Sequence, residues 1–314
     1  MALHDDELEI DERLARRLVD RDLPGFAAHP LRRLTASGSS NALFQLGDDL
    51  LVRLPRQPGG AETIDKEARW LPLLARDLPV SVPEILAVGD PGFGYPERWS
   101  VVRWIDGQHP ATPVADASHL AVDLANLVAA LSALKVPTGA HEDATLRWYR
   151  CGPLAAIDRA VRGYAQDCRT LSDLDLDIDA CIDVWDDAVA LPDSNGAASR
   201  WLHGDLLAEN LLARDGRLGA VIDFGGLAIG DPTVDLVVAW EVLDRHGRQV
   251  FRSALGVDEL TWQRGKAWAM AIALMTFPYY WRTMPERCRA RLAMARAVLD
   301  DCAANAPARG SIAT

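Results

Sequence analysis

His203-Gly204-Asp205-Leu206-Leu207-Ala208-Glu209-Asn210, followed by Val221-Ile222-Asp223-Phe224-Gly225, is the stretch on which the reading of this chain turns. It puts a carboxylate at Asp205, a neutral amide oxygen five positions on at Asn210, and a second carboxylate thirteen positions later at Asp223, closing an apolar, β-like run. Phosphoryl transfer asks little covalent chemistry of a protein. It needs a group that orients and deprotonates an acceptor hydroxyl, and oxygen ligands that hold Mg²⁺ against the donor phosphates. Asp205 suits the first task; Asn210 and Asp223 suit the second. Either segment alone could be an ordinary turn, where Asp and Asn are favoured for local hydrogen bonding. Both together, in order and at this spacing, argue for a site.

The spacing also matches the kinase arrangement, in which a catalytic-loop Asp takes the hydroxyl proton while the loop Asn and the Asp of Asp-Phe-Gly hold metal. With His-Gly-Asp in place of His-Arg-Asp, and Asp231-Pro232-Thr233-Val234-Asp235-Leu236 downstream, the chain resembles the aminoglycoside phosphotransferase family, small-molecule kinases to which macrolide phosphotransferases are related. The resemblance runs from about Leu31 to about Ala303. It implies an α+β, protein-kinase-like fold of two lobes, with an antiparallel-sheet N-lobe carrying one main helix and a mostly helical C-lobe.

At 314 residues and 49% hydrophobic content the chain can bury a large core and is long enough for two domains. No apolar run reaches the roughly 18 to 20 residues that span a bilayer, and Met1-Ala2-Leu3-His4-Asp5-Asp6-Glu7 is acidic where a secretory signal is basic and then apolar. A cytoplasmic location is expected. The five cysteines contain no Cys-x-x-Cys pair and leave one over, which suits reduced thiols. A net charge of −12 argues against nucleic acid as a partner and is compatible with a cationic ligand. Neither a membrane nor a specific protein partner is implied. Lysine occurs only at positions 66, 135 and 266.

Ile10, Leu14 and Leu18 stand four apart in a short amphipathic helix over 9–22, expected to pack on the back of the first lobe. Three β-rich runs, 31–37, 42–47 and 50–55, are joined by hairpin-length links and predict an antiparallel sheet. A helix over 60–77 and strands over 84–88 and 99–105 complete the order β-β-β-α-β-β. Asp106-Gly107-Gln108-His109-Pro110 interrupts the pattern, dividing an N-lobe of residues 1–105 from a C-lobe of 106–314. Helices follow over 116–135, 155–169 and 177–191. Strand 200–202 leads into the Asp205 loop, and 210–213 and 219–222 form a β pair around the metal ligands. Asp231-Pro232 starts a helix expected to run to Arg245, and helices over 258–275 and 285–303 close the chain.

In a kinase N-lobe a strand cation contacts the donor phosphates and is held by a helix glutamate. The third strand, Leu50-Leu51-Val52-Arg53-Leu54-Pro55-Arg56, offers no lysine, so Arg53 is the candidate. It points opposite to Leu50, Val52 and Leu54, and the alternative is an exposed strand arginine. Arg-Leu-Pro-Arg also resembles the Arg-Ile-Pro-Arg of macrolide phosphotransferases. Lys66 sits about 100° around its helix from Glu67 and cannot face it. Glu67, at mid-helix, is the expected partner of Arg53, with a solvated glutamate as the alternative. Ser39 and Ser40, in Ser37-Gly38-Ser39-Ser40-Asn41, match the phosphate-covering loop. By the resemblance, adenine would bond to backbone groups of Arg103 and Ile105, His203 would shape the loop, and Asp235 would tie down loop amides. The acidic run from Asp173 to Asp187 reads as the solvent face of a helix whose apolar members keep helical spacing, a cationic subsite being the alternative.

These readings imply an ATP- or GTP-dependent O-phosphotransferase using Mg²⁺ and acting on a small hydroxylated molecule. An aminoglycoside-type antibiotic is the first candidate acceptor, which would link the protein to antibiotic resistance; a macrolide or a metabolite alcohol comes next. A catalytically silent nucleotide-binding module is the rival, although Asp205, Asn210 and Asp223 are all present.

Overall fold

The computed structural model describes residues 6–34, 40–114, 117–192 and 199–305. The first helix, α1 (Glu12–Asp22), starts where the Asp11 carboxylate accepts the Leu14 amide at 2.7 Å. Its buried stripe of Ala15, Leu18 and Val19 lies on a five-stranded antiparallel sheet. The sheet comprises β1 (Leu31–Arg33), β2 (Asn41–Leu46), β3 (Leu50–Pro55), β4 (Ile85–Gly89) and β5 (Trp99–Arg103), in the order β1-β2-β3-β5-β4. Alternation along β3 gives its two faces different tasks. Leu50, Val52 and Leu54 join Phe44, Trp99 and α1 in a small apolar core, while Arg53 projects to the other side.

That other side is covered by α2 (Ala61–Leu74), whose first turn is capped by Glu97: its two carboxylate oxygens accept the amides of Gly59 and Ala61 at 3.0 and 2.8 Å. The apolar residues of α2, Trp70, Leu71 and Leu74, are buried in the larger core built by the rest of the chain. Trp70 packs at 5.6 Å from Trp201, and its indole N–H donates to Asp143 at 2.9 Å. The helix thus lies between the sheet and the helical half.

Beyond β5 the chain runs irregularly through 104–110 and is pinned to the next sheet element. Gln108 and Ala213 exchange both backbone bonds, at 3.1 and 2.8 Å. The helical half contains α3 (Ser118–Ala133), α4 (Asp158–Cys168) and α5 (Ile178–Val189), then β6 (Arg200–Leu202), the hairpin β7 (Leu211–Arg214) and β8 (Arg217–Val221), and β9 (Ala228–Gly230), which pairs with β6. It ends in α6 (Val238–Val242), α7 (Arg245–Leu255), α8 (Glu259–Tyr280) and α9 (Pro285–Asn305). Among the described residues no helix is long and apolar enough to cross a membrane. All five cysteines are free.

Several boundaries differ from the sequence reading. The expected helix from Asp231 to Arg245 does start at an Asp231 cap, but as a 3₁₀ segment, Pro232–Val237, before the short α6. Asp244 then takes up a new cap, accepting the Gly247 amide at 2.7 Å, so α7 begins where the helix was expected to end. At the other end α8 passes through Pro278 to Tyr280. Proline leaves the carbonyl four residues back without its partner, and here the Cys168 thiol donates to that Leu274 carbonyl at 3.4 Å. The aromatic run after Met275 is therefore helical, with Phe277 buried. Four carboxylates of the acidic run are engaged within the chain: Asp177 caps α5, while Asp175, Asp179 and Asp186 pair with Arg296, Arg169 and Arg162.

Candidate active site

The site is held by the loop between β6 and β7. Gly204 there has φ +81°, and a Cβ on it would stand 2.4 Å from the Gly226 carbonyl oxygen, so only glycine fits between the two segments. His203 is fully buried and its ring joins the same two segments. Its Nδ1 accepts the Asp205 amide at 3.2 Å, which leaves Nε2 as the donor toward the Ile222 carbonyl at 3.2 Å. The ring also packs 4.6 Å from Phe224. Asp235 reaches from the 3₁₀ segment to accept both the His203 amide at 2.7 Å and the Gly204 amide at 2.8 Å. Burial pushes the Asp235 carboxyl above its usual range, and His203 and these two amides pull it back only in part. Both residues stand where the loop-shaping readings put them.

Within this frame Asp205 and Asn210 touch. The Asn210 amide nitrogen donates to the Asp205 backbone carbonyl at 2.8 Å and to its Oδ2 at 3.2 Å. Its nitrogen being turned to Asp205, the Asn210 Oδ1 is the atom left to face outward. Asp223 lies two residues past β8, and the Ile222 amide between them donates to the Asn210 carbonyl at 2.9 Å. Asp223 has φ +59°, a left-handed conformation that costs a non-glycine residue about 1 kcal/mol or more. Such strain concentrates where a side chain must be aimed. One Asp223 oxygen accepts the Gly225 amide at 3.3 Å.

On the sheet side, Arg53 and Glu67 form a buried ion pair at 2.7 Å, with side chains 6% and 0% exposed. Burial is the largest influence on both. It pushes the Glu67 carboxyl up against the pull of Arg53, whereas the guanidinium, drawn by Glu67 and Asp223, outweighs its own burial and stays charged. The contact is close but poorly aligned: neither Arg53 Nη2 nor either Glu67 oxygen completes a well-directed hydrogen bond. Arg53 is therefore not an exposed strand arginine, and Glu62, the other glutamate on α2, is exposed in its first turn.

The remaining expected positions divide. Ser39 lies outside the described residues; Ser40 is exposed, its carbonyl accepting the Arg56 amide at 2.9 Å. At the end of β5 the Arg103 amide donates to the Glu84 carbonyl at 3.0 Å and the Trp104 amide to Asp49 at 2.7 Å. The Arg103 N–H is thus committed to Glu84. The half-buried Ile105, and the Arg103 carbonyl, have no backbone bond outside the strand ladder among the described residues. Strand β5 stops at Arg103, two residues earlier than expected.

Sequence reading missed four contributors. Lys66, turned away from Glu67 as its helical position requires, donates to the Gly225 carbonyl at 2.5 Å and ties α2 to the Asp223 loop; burial holds its pKa below the usual lysine value. Glu241 of α6 accepts the Ala208 amide at 2.7 Å, and buried Arg291 of α9 bonds Glu209 at 2.6 Å and also pairs with Glu241, bracing the loop from behind. Arg150 donates to Asp205 Oδ1 at 2.5 Å. Burial alone would raise the Asp205 carboxyl, and Arg150 overcomes it, leaving the group below the ordinary carboxylate range. The one local signal for Arg150 was its place after two aromatics, Trp148 and Tyr149.

Residues 32–268 match the model of the phosphotransferase enzyme family. A search of curated protein sequences gave no match. Among solved structures, the GDP and kanamycin complex of APH(2")-IIia is 20% identical with a TM-score of 0.67, covering 94% of this chain and 100% of its own. The streptomycin-ATP-APH(2")-IIa ternary complex is 16% identical at 0.61, covering 93% and 99%. Macrolide 2'-phosphotransferase MphH from Brachybacterium faecium is 21% identical at 0.59, covering 94% and 98%.

Proposed function

Given that the chain belongs to the phosphotransferase enzyme family and transfers phosphate to an alcohol group, we propose that Asp205 is its catalytic base and that ATP or GTP is its donor. The observation that carries this reading is the convergence of the Asp205–Asn210 contact with the Asp223 loop, beside the buried Arg53–Glu67 pair. In the reaction the acceptor oxygen bonds to the γ-phosphorus as the bond from phosphorus to the β–γ bridging oxygen breaks. The electron pair stays on the departing nucleoside diphosphate, and the hydroxyl proton passes to Asp205. Because charge stabilisation matters more than base strength in this chemistry, a carboxylate with a low pKa serves mainly by holding the hydroxyl in line.

Arg53 steadies the donor phosphates. Glu67 holds its guanidinium at Nη2, and a guanidinium can grip phosphate through two parallel bonds. Ser39 and Ser40 would lie over the phosphates, and the Arg103 carbonyl and Ile105 amide would meet the base. The donor set of Asn210 Oδ1 and the Asp223 carboxylate is hard oxygen, which fits Mg²⁺; among the described residues no cluster of three or more His, Cys, Asp or Glu could cage a metal alone. Asn210 and Asp223 would hold the ion, which would supply charge neutralisation at the donor phosphates.

The acceptor is a small hydroxylated molecule, with aminoglycosides first and macrolides or metabolite alcohols next. The solved complexes of kanamycin and streptomycin and the macrolide enzyme, all on this fold, support that order. A role in antibiotic resistance and a cytoplasmic location follow from the same reading, as does a lobe division at residues 105 and 106. A screen of phosphate transfer from ATP and GTP over aminoglycosides, macrolides and amino alcohols tests it. Transfer to none of these acceptors, with nucleotide bound, would favour the silent module.

A further inference from the structure

Arg150 is the cation nearest to the proposed base, and it comes from a segment with no part in the motifs. Between Asp205 and Asn210 the loop itself carries only Leu206, Leu207, Ala208 and Glu209. The other cations around the loop are engaged elsewhere: Lys66 on the Gly225 carbonyl, Arg53 on Glu67, Arg287 and Arg291 on Glu209 behind the loop. Arg150 is fixed on several sides. Its Nη1 donates to Asp205 Oδ1 at 2.5 Å and to the Gly204 carbonyl at 3.2 Å, and its Nε donates to the Tyr149 hydroxyl at 2.7 Å. The guanidinium carbon lies 4.6 Å from the Trp148 ring centroid and 5.2 Å from that of Tyr149. Among the described residues Nη2 makes no hydrogen bond, and the side chain keeps 13% of its surface exposed.

We propose that Arg150 is a catalytic residue that contacts the transferred phosphoryl group through Nη2 while Nη1 holds Asp205. The inference rests on the function proposed above. An acceptor oxygen bonded to Asp205 and poised for in-line attack places phosphorus within about 6 Å of that carboxylate. A guanidinium already bonded to the same carboxylate then stands beside the equatorial oxygens, over which the transition-state charge spreads. The bond changes are those already given, acceptor oxygen to phosphorus forming and phosphorus to bridging oxygen breaking; Arg150 neither gains nor loses a proton. Its role is to answer charge, and arginine in that position is worth about 10³ to 10⁵ in rate.

The test uses the full chain and a nucleoside diphosphate with aluminium fluoride, a planar stand-in for the phosphoryl group in transfer. Affinities for Mg·ADP and Mg·GDP are measured with and without aluminium fluoride. The wild type should bind at least one diphosphate, and fluoride should tighten it by about 10² or more, as transition-state analogues do. Arg150→Gln should bind the diphosphate within about twofold of wild type, its pocket wall being intact, yet lose nearly all of the tightening. Arg150→Gln with full tightening would overturn the proposal, as would a wild type that binds diphosphate but gains nothing from fluoride. If Arg150→Gln fails to hold the diphosphate, Arg150→Lys decides: one bond in place of a fork should leave only a fraction of the tightening, and the wild-type value would again overturn it. A wild type that binds neither diphosphate refutes the proposed function instead.

Discussion

Glu67→Gln keeps the shape of the α2 side chain and removes one charge from a pair that is almost wholly shielded from water. What remains is the Arg53 guanidinium, buried, still charged and facing a neutral amide. Breaking a buried ion pair from one side costs about 3–5 kcal/mol because the partner's charge is left uncompensated. For a chain of 314 residues the entropy of unfolding near the melting temperature is about 0.7 kcal/mol/K, so that loss corresponds to about 5–8 °C in Tm. Nucleotide phosphates restore an anionic partner to Arg53, so ligand should recover part of the loss, and the stabilisation by Mg·ATP or Mg·GTP should be larger in Glu67→Gln than in wild type. Removing both charges in Arg53→Met/Glu67→Gln should recover most of the Tm, since an apolar replacement of a buried pair is often neutral, but it should not recover nucleotide affinity. Differential scanning fluorimetry with and without nucleotide gives the melting points of wild type, Glu67→Gln, Arg53→Met and the double variant, and titration calorimetry gives the affinities. A Glu67→Gln Tm within 1 °C of wild type, or single effects that simply add in the double variant, would refute the reasoning, because residues sharing one interaction must couple.

Asp223→Ala should lose most of the magnesium-dependent part of nucleotide affinity, because it removes the anionic ligand of a hard cation, whereas Asn210→Ala should act more mildly; equal calorimetric affinities for wild type and Asp223→Ala would contradict this. Lys66→Met removes a desolvated cation and also strips the Gly225 carbonyl of its donor. These effects oppose in stability, so Tm should move less than in Glu67→Gln, while magnesium-dependent nucleotide affinity should fall about tenfold, the worth of a hydrogen bond from a charged group; unchanged affinity would show that the contact only packs α2. The Asp205 carboxyl, held below the ordinary range by Arg150 against its burial, keeps its charge as pH falls until that lowered pKa is reached. The kcat of transfer should therefore show no acid limb from this group above about pH 4, the usual aspartate value being 3.9, and Arg150→Gln should move the limb upward; a limb unmoved by that substitution would assign it to another group.

Much of the site was legible because its chemistry is carried by local sequence. Asp205 and Asn210 share one loop, Asp223 lies two residues past the neighbouring strand, and the period-two pattern of β3 put Arg53 on the opposite face from Leu50, Val52 and Leu54. The pairing with Glu67 could be inferred since mid-helix position and strand face leave few partners. Arg150 could not be inferred: it lies 55 residues from Asp205, and only the packing of its segment against the Gly204–Gly226 contact brings them together. The Glu241–Arg291 brace likewise joins two helices whose register no local pattern fixes. Boundaries failed where a side chain competed with the backbone, as at Asp244, or where a distant thiol satisfied the carbonyl freed by Pro278. The sequence placed a helix over 60–77, but nothing local told that Trp70 and Leu71 would pack into the helical half.

The most direct test of the central claim is phosphate transfer itself, followed by ³¹P NMR with ATP and GTP over the acceptor panel, in wild type and Asp205→Asn. A new phosphomonoester signal is expected from at least one acceptor, with a rate lower by about 10² to 10⁴ in Asp205→Asn and nearly intact nucleotide binding in that variant. An Asp205→Asn enzyme that forms the ester at the wild-type rate would contradict it.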